Sequence, residues 1–584
     1  MADQRPSSDR SSDRPSGRPL PRSSGPSGRP PGPPRDPARD PVPRRPSAGP
    51  GGSAALDSAH VGDIKGALGS ISLEDLGERH TLRQRLATLA AILGPGIIVM
   101  VGDNDAGGVA TYAQAGQNYG YSLLWVLLLL IPVLIVNQEM VVRLGAVTGV
   151  GHARLINERF GKGWGWFSVG DLFLLNFLTL ATEFIGIALA ADYIGLSRYL
   201  VVPVAAVVLV VIAATGSFQR WERAMFLFIA VSAVQLPLVL LSHPHWTTIA
   251  RDFVLPGIHG GFSGDAVLLI VAMVGTTVAP WQLFFQQSNI IDKRITPRFI
   301  GYERADTVIG SAVVIAGAAA LLAAAAFAAR GTPAFGHFVD AGGVARLLRE
   351  HSHVLGTMFT IVLLDASIIG AAAVTLSTSY AFGDVFGLRH SLHRGFREAR
   401  PFYASYTGLV VVAAGIVLIP GAPLGLITTS VQALAGLLLP SASVFLLLLC
   451  NDREVLGPWT NPRWLNALAA GIVGVLLVLS ATLMATTLFP HLNVRRLVLE
   501  LAAAAALGGL AAGGALRWFT RDARADEPPP ARPVGDKTSW RMPPLALLKP
   551  VRWSPGTRLG MMALRGYLVL SAVLLLVKAV RLGH

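Results

Sequence analysis

The chain has 584 residues, 52% of them apolar and only 14% charged, with a mean hydropathy of +0.52. Soluble domains carry about 25% charged residues, so this chain has too few to coat a core in water, and a bilayer is its natural solvent. Its formal charge of +14 does not point to nucleic acid, because the basic residues collect in the tails and in every second loop, as in multi-spanning proteins.

Residues 1–80 are rich in Pro, Arg, Ser and Gly. Such a stretch buries too little surface to offset its ordering entropy, and it holds no apolar run like the centre of a signal peptide. It is expected to be a disordered basic tail. From Leu86 onward, apolar runs of membrane-crossing length repeat. They predict spans over about 88–116, 120–146, 164–191, 199–215, 222–242, 263–290, 305–330, 354–383, 402–420, 424–450, 463–489 and 497–518. A last run at 562–579 reads as a thirteenth span or an interfacial helix. The fold class expected is all-α integral membrane, with about 11–13 transmembrane helices. A core at 85–455 would be followed by extra helices to 520 and a cytoplasmic linker with an apolar segment over 521–584. Arg143, Arg154, Arg159, Arg220, Arg223, Lys293, Arg294, Arg298 and Arg304 fall in alternate loops, which places those loops and the N-terminus in the cytoplasm. Cys450 is the one cysteine and lies inside an apolar run, so no intrachain disulfide forms and it reads as a packing residue.

Polar groups inside apolar spans are costly and default to function. The first span carries Gly102-Asp103-Asn104-Asp105-Ala106-Gly107-Gly108. Its glycines are poor helix formers, and unwinding would free carbonyls beside two carboxylates and an amide, the ligands of hard divalent cations. The sixth span carries Gly275-Thr276-Thr277-Val278-Ala279-Pro280-Trp281, where Pro280 removes a helical hydrogen bond. Two broken spans, five apart, point to an inverted repeat over 85–245 and 260–450 with a midplane site. For the sixth span, a simple proline kink is an equal alternative. Glu183 reads as a proton carrier, a carboxyl supporting the ion's ligands, an ion-path residue, or a neutral carboxyl bonded to the bundle. Glu139 has the spacing to pair with Arg143, and Asp365 and Gln432 have the character of interhelical hydrogen-bonding groups.

These residues resemble a family. Gly94-Pro95-Gly96 through Asp105, then Ala110-Thr111 and Gly120-Tyr121-Ser122-Leu123-Leu124-Trp125, are similar to the start of Nramp metal transporters, whose first helix carries Asp-Pro-Gly-Asn. Gly275 to Pro280 resembles the family's Gly-Ala-Thr-Val-Met-Pro-His, and Glu183 with Gly186 fits its third-helix acidic motif. The resemblance implies a LeuT-like inverted-repeat fold over about 85–455, with the metal-binding Asp on Asp105.

The departures all point one way. Ala106 stands for Pro, Gly108 for the metal-binding Asn, Ala279 for the metal-binding Met, and Trp281 and Gln286 for two His. Leu180 stands for an acid, Asp103 for Tyr and Asn104 for Met. Loss of a soft thioether and gain of oxygens suit a hard, partly hydrated ion. The chain is most similar to the prokaryotic Nramp-related magnesium transporters. That resemblance implies uptake of Mg2+, with Mn2+ as a second cargo, without proton coupling and with no cofactor. Asp105 would carry the principal charge, with Asp103, Asn104, Gly108, the Thr276 carbonyl and the Ala279 position around the ion. Glu183, Trp281, Gln286 and Gln432 would gate or support it. A monomer in the plasma membrane of a prokaryote, in contact with lipid and the metal ion, is expected. A proton-coupled Mn2+/Fe2+ symporter is the first alternative and an amino-acid or organic-solute symporter the second. No nucleophile motif or soluble catalytic domain suggests an enzyme.

Overall fold

The structure is a computed structural model. It describes residues 58–523 apart from 76, 421–423 and 490, and, further on, 537–548, 551, 558–567, 569–570 and 573. Residues 1–57 of the basic tail and half of 562–579 lie outside the described residues.

Residues 58–80, assigned to the tail by composition, are folded. A short hairpin pairs Ile64–Lys65 with Ser70–Ile71 and buries Ile64 and Ile71. α1 (Leu82–Ile92) follows, its start closed by a capping box in which Thr81 and Gln84 exchange hydrogen bonds. The boundary expected near 80 therefore fails, because two buried isoleucines and the capped helix anchor a segment that is polar on average.

The first span is two half-helices, α2 (Pro95–Gly102) and α3 (Ala106–Tyr119). α1 does not extend it, since the chain bends by 52° between α1 and α2. The bend falls at Gly94-Pro95, where Pro95 sits at the first helical position that tolerates it. Then come α4 (Leu124–Thr148), α5 (His152–Phe160), α6 (Lys162–Tyr193) and α7 (Arg198–Ala213). The fifth span is α8 (Phe218–Ser232) continued by α9 (Gln235–Leu241), and α10 (Trp246–Val254) lies in the next loop. The sixth span is again split, into α11 (Gly264–Thr277) and α12 (Pro280–Asp292). α13 (Ile300–Ala329), α14 (Ala341–His351), α15 (His353–Phe386), α16 (Arg400–Val417) and α17 (Leu424–Cys450) complete the core. α18 (Arg453–Leu456), α19 (Arg463–Leu488) and α20 (Val494–Ala523) follow.

Among the described residues, nine helices are long and apolar enough to cross a membrane, ten with the bent α1–α2 pair. That count rests on length and apolar character among the described residues, and it leaves out the short α7 and the first span, which is divided into pieces. α3 packs against α11, α13 and α17, and α2 packs against α12, α13 and α15. The split α11–α12 span has 94% of its apolar window buried, against 28% for Phe218–Leu241. The break therefore lies in the middle of the bundle, where only protein can satisfy freed backbone groups.

The side bearing the hairpin also carries the basic loops. There Arg143 pairs with Glu139 one turn earlier, as their spacing predicts. Residues 537–551 cross the same side. The Met542 amide donates to the Val147 carbonyl at 3.3 Å and the Val551 amide to the Arg159 carbonyl at 3.0 Å. Part of the expected linker is thus packed on the bundle.

Candidate metal-ion site

The chain leaves helix between Gly102 and Ala106. Asp103 caps the end of α2, and Asp105 is the N-cap of α3, its Oδ1 accepting from the Gly108 amide at 2.7 Å. A carboxylate there meets the positive end of the α3 dipole. Across from it, α11 stops at Thr277 because Pro280 cannot continue it, and Ala279 becomes the N-cap of α12. The break at the sixth span is therefore a true interruption rather than a kink.

Asp103, Asn104, Asp105, Glu183, Thr276, Ala279, Trp281, Gln286 and Gln432 are all buried. Asp105 and Glu183 lie side by side against Gly370, where an added Cβ would stand 2.6 Å from Glu183 Oε2 and 2.7 Å from the Asp105 Cβ. Glu183 Oε2 also accepts from the Ala106 amide at 3.0 Å. Asp103 Oδ1 accepts from Gln282 Nε2. Four polar atoms around the break have no protein partner: Asp103 Oδ2, Thr276 Oγ1, Glu183 Oε1 and Gln432 Nε2. Buried polar atoms are nearly always paired, so such a group of orphaned oxygens calls for water or an ion.

Not every expected residue faces that centre. The Asn104 amide turns to α13, where its Nδ2 donates to the Val314 carbonyl at 3.2 Å. Gln286 Nε2 reaches Thr307 Oγ1 at 3.3 Å, also on α13, one helical turn from Gln282. Ala279 contributes a methyl group, with no donor atom in its side chain. Trp281 lies against Gly102 and 6.0 Å from the Phe285 ring, filling space beside α2.

Gly108 serves close contact. A Cβ there would lie 2.6 Å from the Asp103 carbonyl oxygen and 3.2 Å from Thr276 Oγ1. Glycine instead lets those two oxygens approach α3. Gly107 does the same for Gln432, whose Nε2 would lie 1.7 Å from a Cβ at 107. Gly108→Ala is expected to cost about 1–3 kcal/mol by overpacking, read as a lowered melting temperature together with lost ion flux.

Sequence reasoning missed two groups. Gln282 holds Asp103, a role visible in the sequence only as one more glutamine in an apolar span. The other is a cluster of buried charges on the basic side. Asp306 of α13 accepts from the amides of Gly94, Gly96 and Ile97 at 3.0, 2.7 and 3.1 Å, clamping the start of α2. Lys293 Nζ donates to the Leu93 carbonyl at 2.8 Å and to Glu222 Oε1 at 2.6 Å. Glu222 Oε2 takes the Ala67 amide from the hairpin. Lys293 and Glu222 are both fully buried.

A bundle in which the first and sixth spans both break around buried carboxylates is the architecture of a membrane transporter. Comparison with known proteins gives the family. Residues 96–486 match the Nramp model, described as natural resistance-associated macrophage protein-like, and the chain belongs to that family. It is a multi-pass membrane protein. It is 29% identical over 418 residues to the divalent metal cation transporter MntH of Ralstonia nicotianae, covering 67% of this chain and 89% of that one. Against the MntH of Bacillus subtilis it is 27% identical, covering 68% and 93%. Its fold matches the crystal structure of the Eremococcus coleocola manganese transporter with a TM-score of 0.56 at 21% identity, covering 78% of this chain and 99% of that one. The expected inverted-repeat transporter fold is thus borne out.

Proposed function

We propose that this chain carries a divalent metal cation across the plasma membrane of a prokaryote by alternating access, with Mn2+ as its first cargo. The observation that carries this is the set of orphaned oxygens at the helix break, enclosed with Asp105 and Asp103. Oxygen ligands suit Mn2+ and Mg2+ alike. The relatives named above, described as divalent metal cation or manganese transporters, favour Mn2+. Every ligand comes from one chain, so a monomer suffices. The basic side, with the hairpin, faces the cytoplasm by the distribution of Arg and Lys. An inside-negative potential then favours uptake of a dication by about 4.6 kcal/mol per 100 mV.

Protons enter through Asp105 and Glu183. Both are buried beside Gly370, and neighbouring carboxyl groups out of water resist carrying two negative charges, so the empty pair would hold a proton. A dication binding at Asp105 displaces that proton. This supports coupled transport, the reading opposed to uncoupled magnesium entry. Mg2+ remains the second reading because Ala279 supplies no thioether, the ligand that would prefer transition metals.

Proteoliposomes with a metal dye and a pH dye inside test both. The expected result is Mn2+ uptake accompanied by lumen acidification. Mg2+ uptake without acidification would overturn the coupled manganese reading. Glu183→Gln is expected to keep Mn2+ uptake within about tenfold and to lose the acidification, since a carboxamide keeps the acceptor for Ala106 but carries no exchangeable acid proton.

A further inference from the structure

A cavity of about 630 Å3 opens on the basic side between α4, α13 and the start of α19, well away from the helix break. Glu139, Arg143, Arg304, Trp459, Trp464 and Lys537 are among its lining residues. Three cations face one carboxylate. Glu139 is shared between Arg143 and Arg304, so its charge is divided. Arg143 is also held by the Trp459 carbonyl and Asn461. Lys537 Nζ lies over the Trp459 ring, 4.2 Å from its centroid. Burial, then repulsion from Arg304 and Arg143, pushes the Lys537 amine below its usual range. A lysine destabilised in this way by like charges gains most from an added anion.

The rim fixes the depth of this cavity. Arg304 stands one helical turn before Val308, which is 48% exposed, and Trp464 one turn before Leu468, which is 40% exposed. Trp464 is itself 66% exposed. Exposed apolar residues that begin one turn beyond a tryptophan and an arginine mark the edge of the hydrocarbon. Lipid phosphates lie at that level, with acyl chains running along Val308 and Leu468.

We propose that this cavity binds the phosphate of an anionic phospholipid, held by Arg304 and Lys537 and flanked by Trp459 and Trp464. Phosphate chemistry alone would also admit free phosphate, but the open apolar rim matches the chains of a lipid. Lys537 comes from beyond α20, so a bound lipid would also tie the C-terminal segment to the transporter core. The proposal does not depend on the identity of the cargo.

The test uses the full-length purified protein, delipidated and offered phosphatidylglycerol or phosphatidylcholine at equal mole fraction, with retention read by native mass spectrometry. Two cations at the membrane surface are each worth about a factor of five, so the expected preference for phosphatidylglycerol is about 30-fold. Arg304→Gln with Lys537→Gln should abolish that preference. Lys537→Gln alone, which leaves Glu139 its two arginines, should cut it about fivefold with the melting temperature in phosphatidylcholine unchanged. Equal retention of the two lipids by the wild type, or an undiminished preference in the double variant, would overturn the proposal. Displacement of phosphatidylglycerol by millimolar inorganic phosphate would show a free-anion site and overturn the lipid assignment.

Discussion

Asp105→Asn is expected to leave the protein folded and to lower metal flux at least about 100-fold. Asp105 does two things at once: it caps α3 through the Gly108 amide and it places a carboxylate among the orphaned oxygens of the break. Asn caps a helix about as well as Asp, so the asparagine variant should melt close to wild type. Ala would also lose the cap, at about 1 kcal/mol, and so confuses stability with binding. Partners that merely orient a metal's ligands are worth 10–100-fold in affinity, and the charge that faces the ion directly should be worth no less. Flux into proteoliposomes and melting temperature, measured on the same preparation, decide the matter. Wild-type uptake in Asp105→Asn would remove the site assignment.

Lys293→Ala should be the most destabilising single change in the basic-side cluster. It strips Glu222 of its cation in a place with no access to water and frees the Leu93 carbonyl at the end of α1. Breaking a buried ion pair from one side costs about 3–5 kcal/mol, whereas replacing both partners is far milder. Lys293→Met combined with Glu222→Gln should therefore recover most of the lost stability, because the glutamine still accepts from Ala67. The single variant should also favour the conformation open on the basic side, since one of the two clamps on the start of α2 is gone and only Asp306 is left. A thiol placed at Ile97 would report this as faster maleimide labelling. Equal melting of the single and double variants would show that the pair does not hold the start of α2.

Glu222, Lys293 and Asp306 show where reading the chain alone falls short. Each is one charged residue near a helix end, indistinguishable in sequence from the loop charges that set orientation. Only packing shows that they are buried and that the three converge on the Gly94-Pro95 bend. The hairpin at 64–71 was hidden for the opposite reason. Its average composition is that of a disordered tail, and two isoleucines at the right register suffice to dock it.

Asn104, Gln286 and Gly108 teach the same lesson at the site. All three share helix turns with residues that face the break, and periodicity cannot say which way a side chain turns once the helix unwinds. Asn104 and Gln286 turn to α13, and Gly108 serves close contact.

What the sequence determined by itself is what the bilayer enforces. Long apolar runs must be helices, because lipid satisfies no backbone groups, and acids, glycines and a proline inside such runs must mark breaks that line a protected centre. Asp103, Asp105, Glu183 and Thr276 were legible on those grounds. The tertiary structure alone decided which orphaned oxygens meet, which carboxyl groups lie side by side, and which buried ions clamp the start of α2. Those contacts join residues as far apart as Gly94 and Asp306, 212 positions, where no local periodicity or spacing carries information and close packing sets the answer.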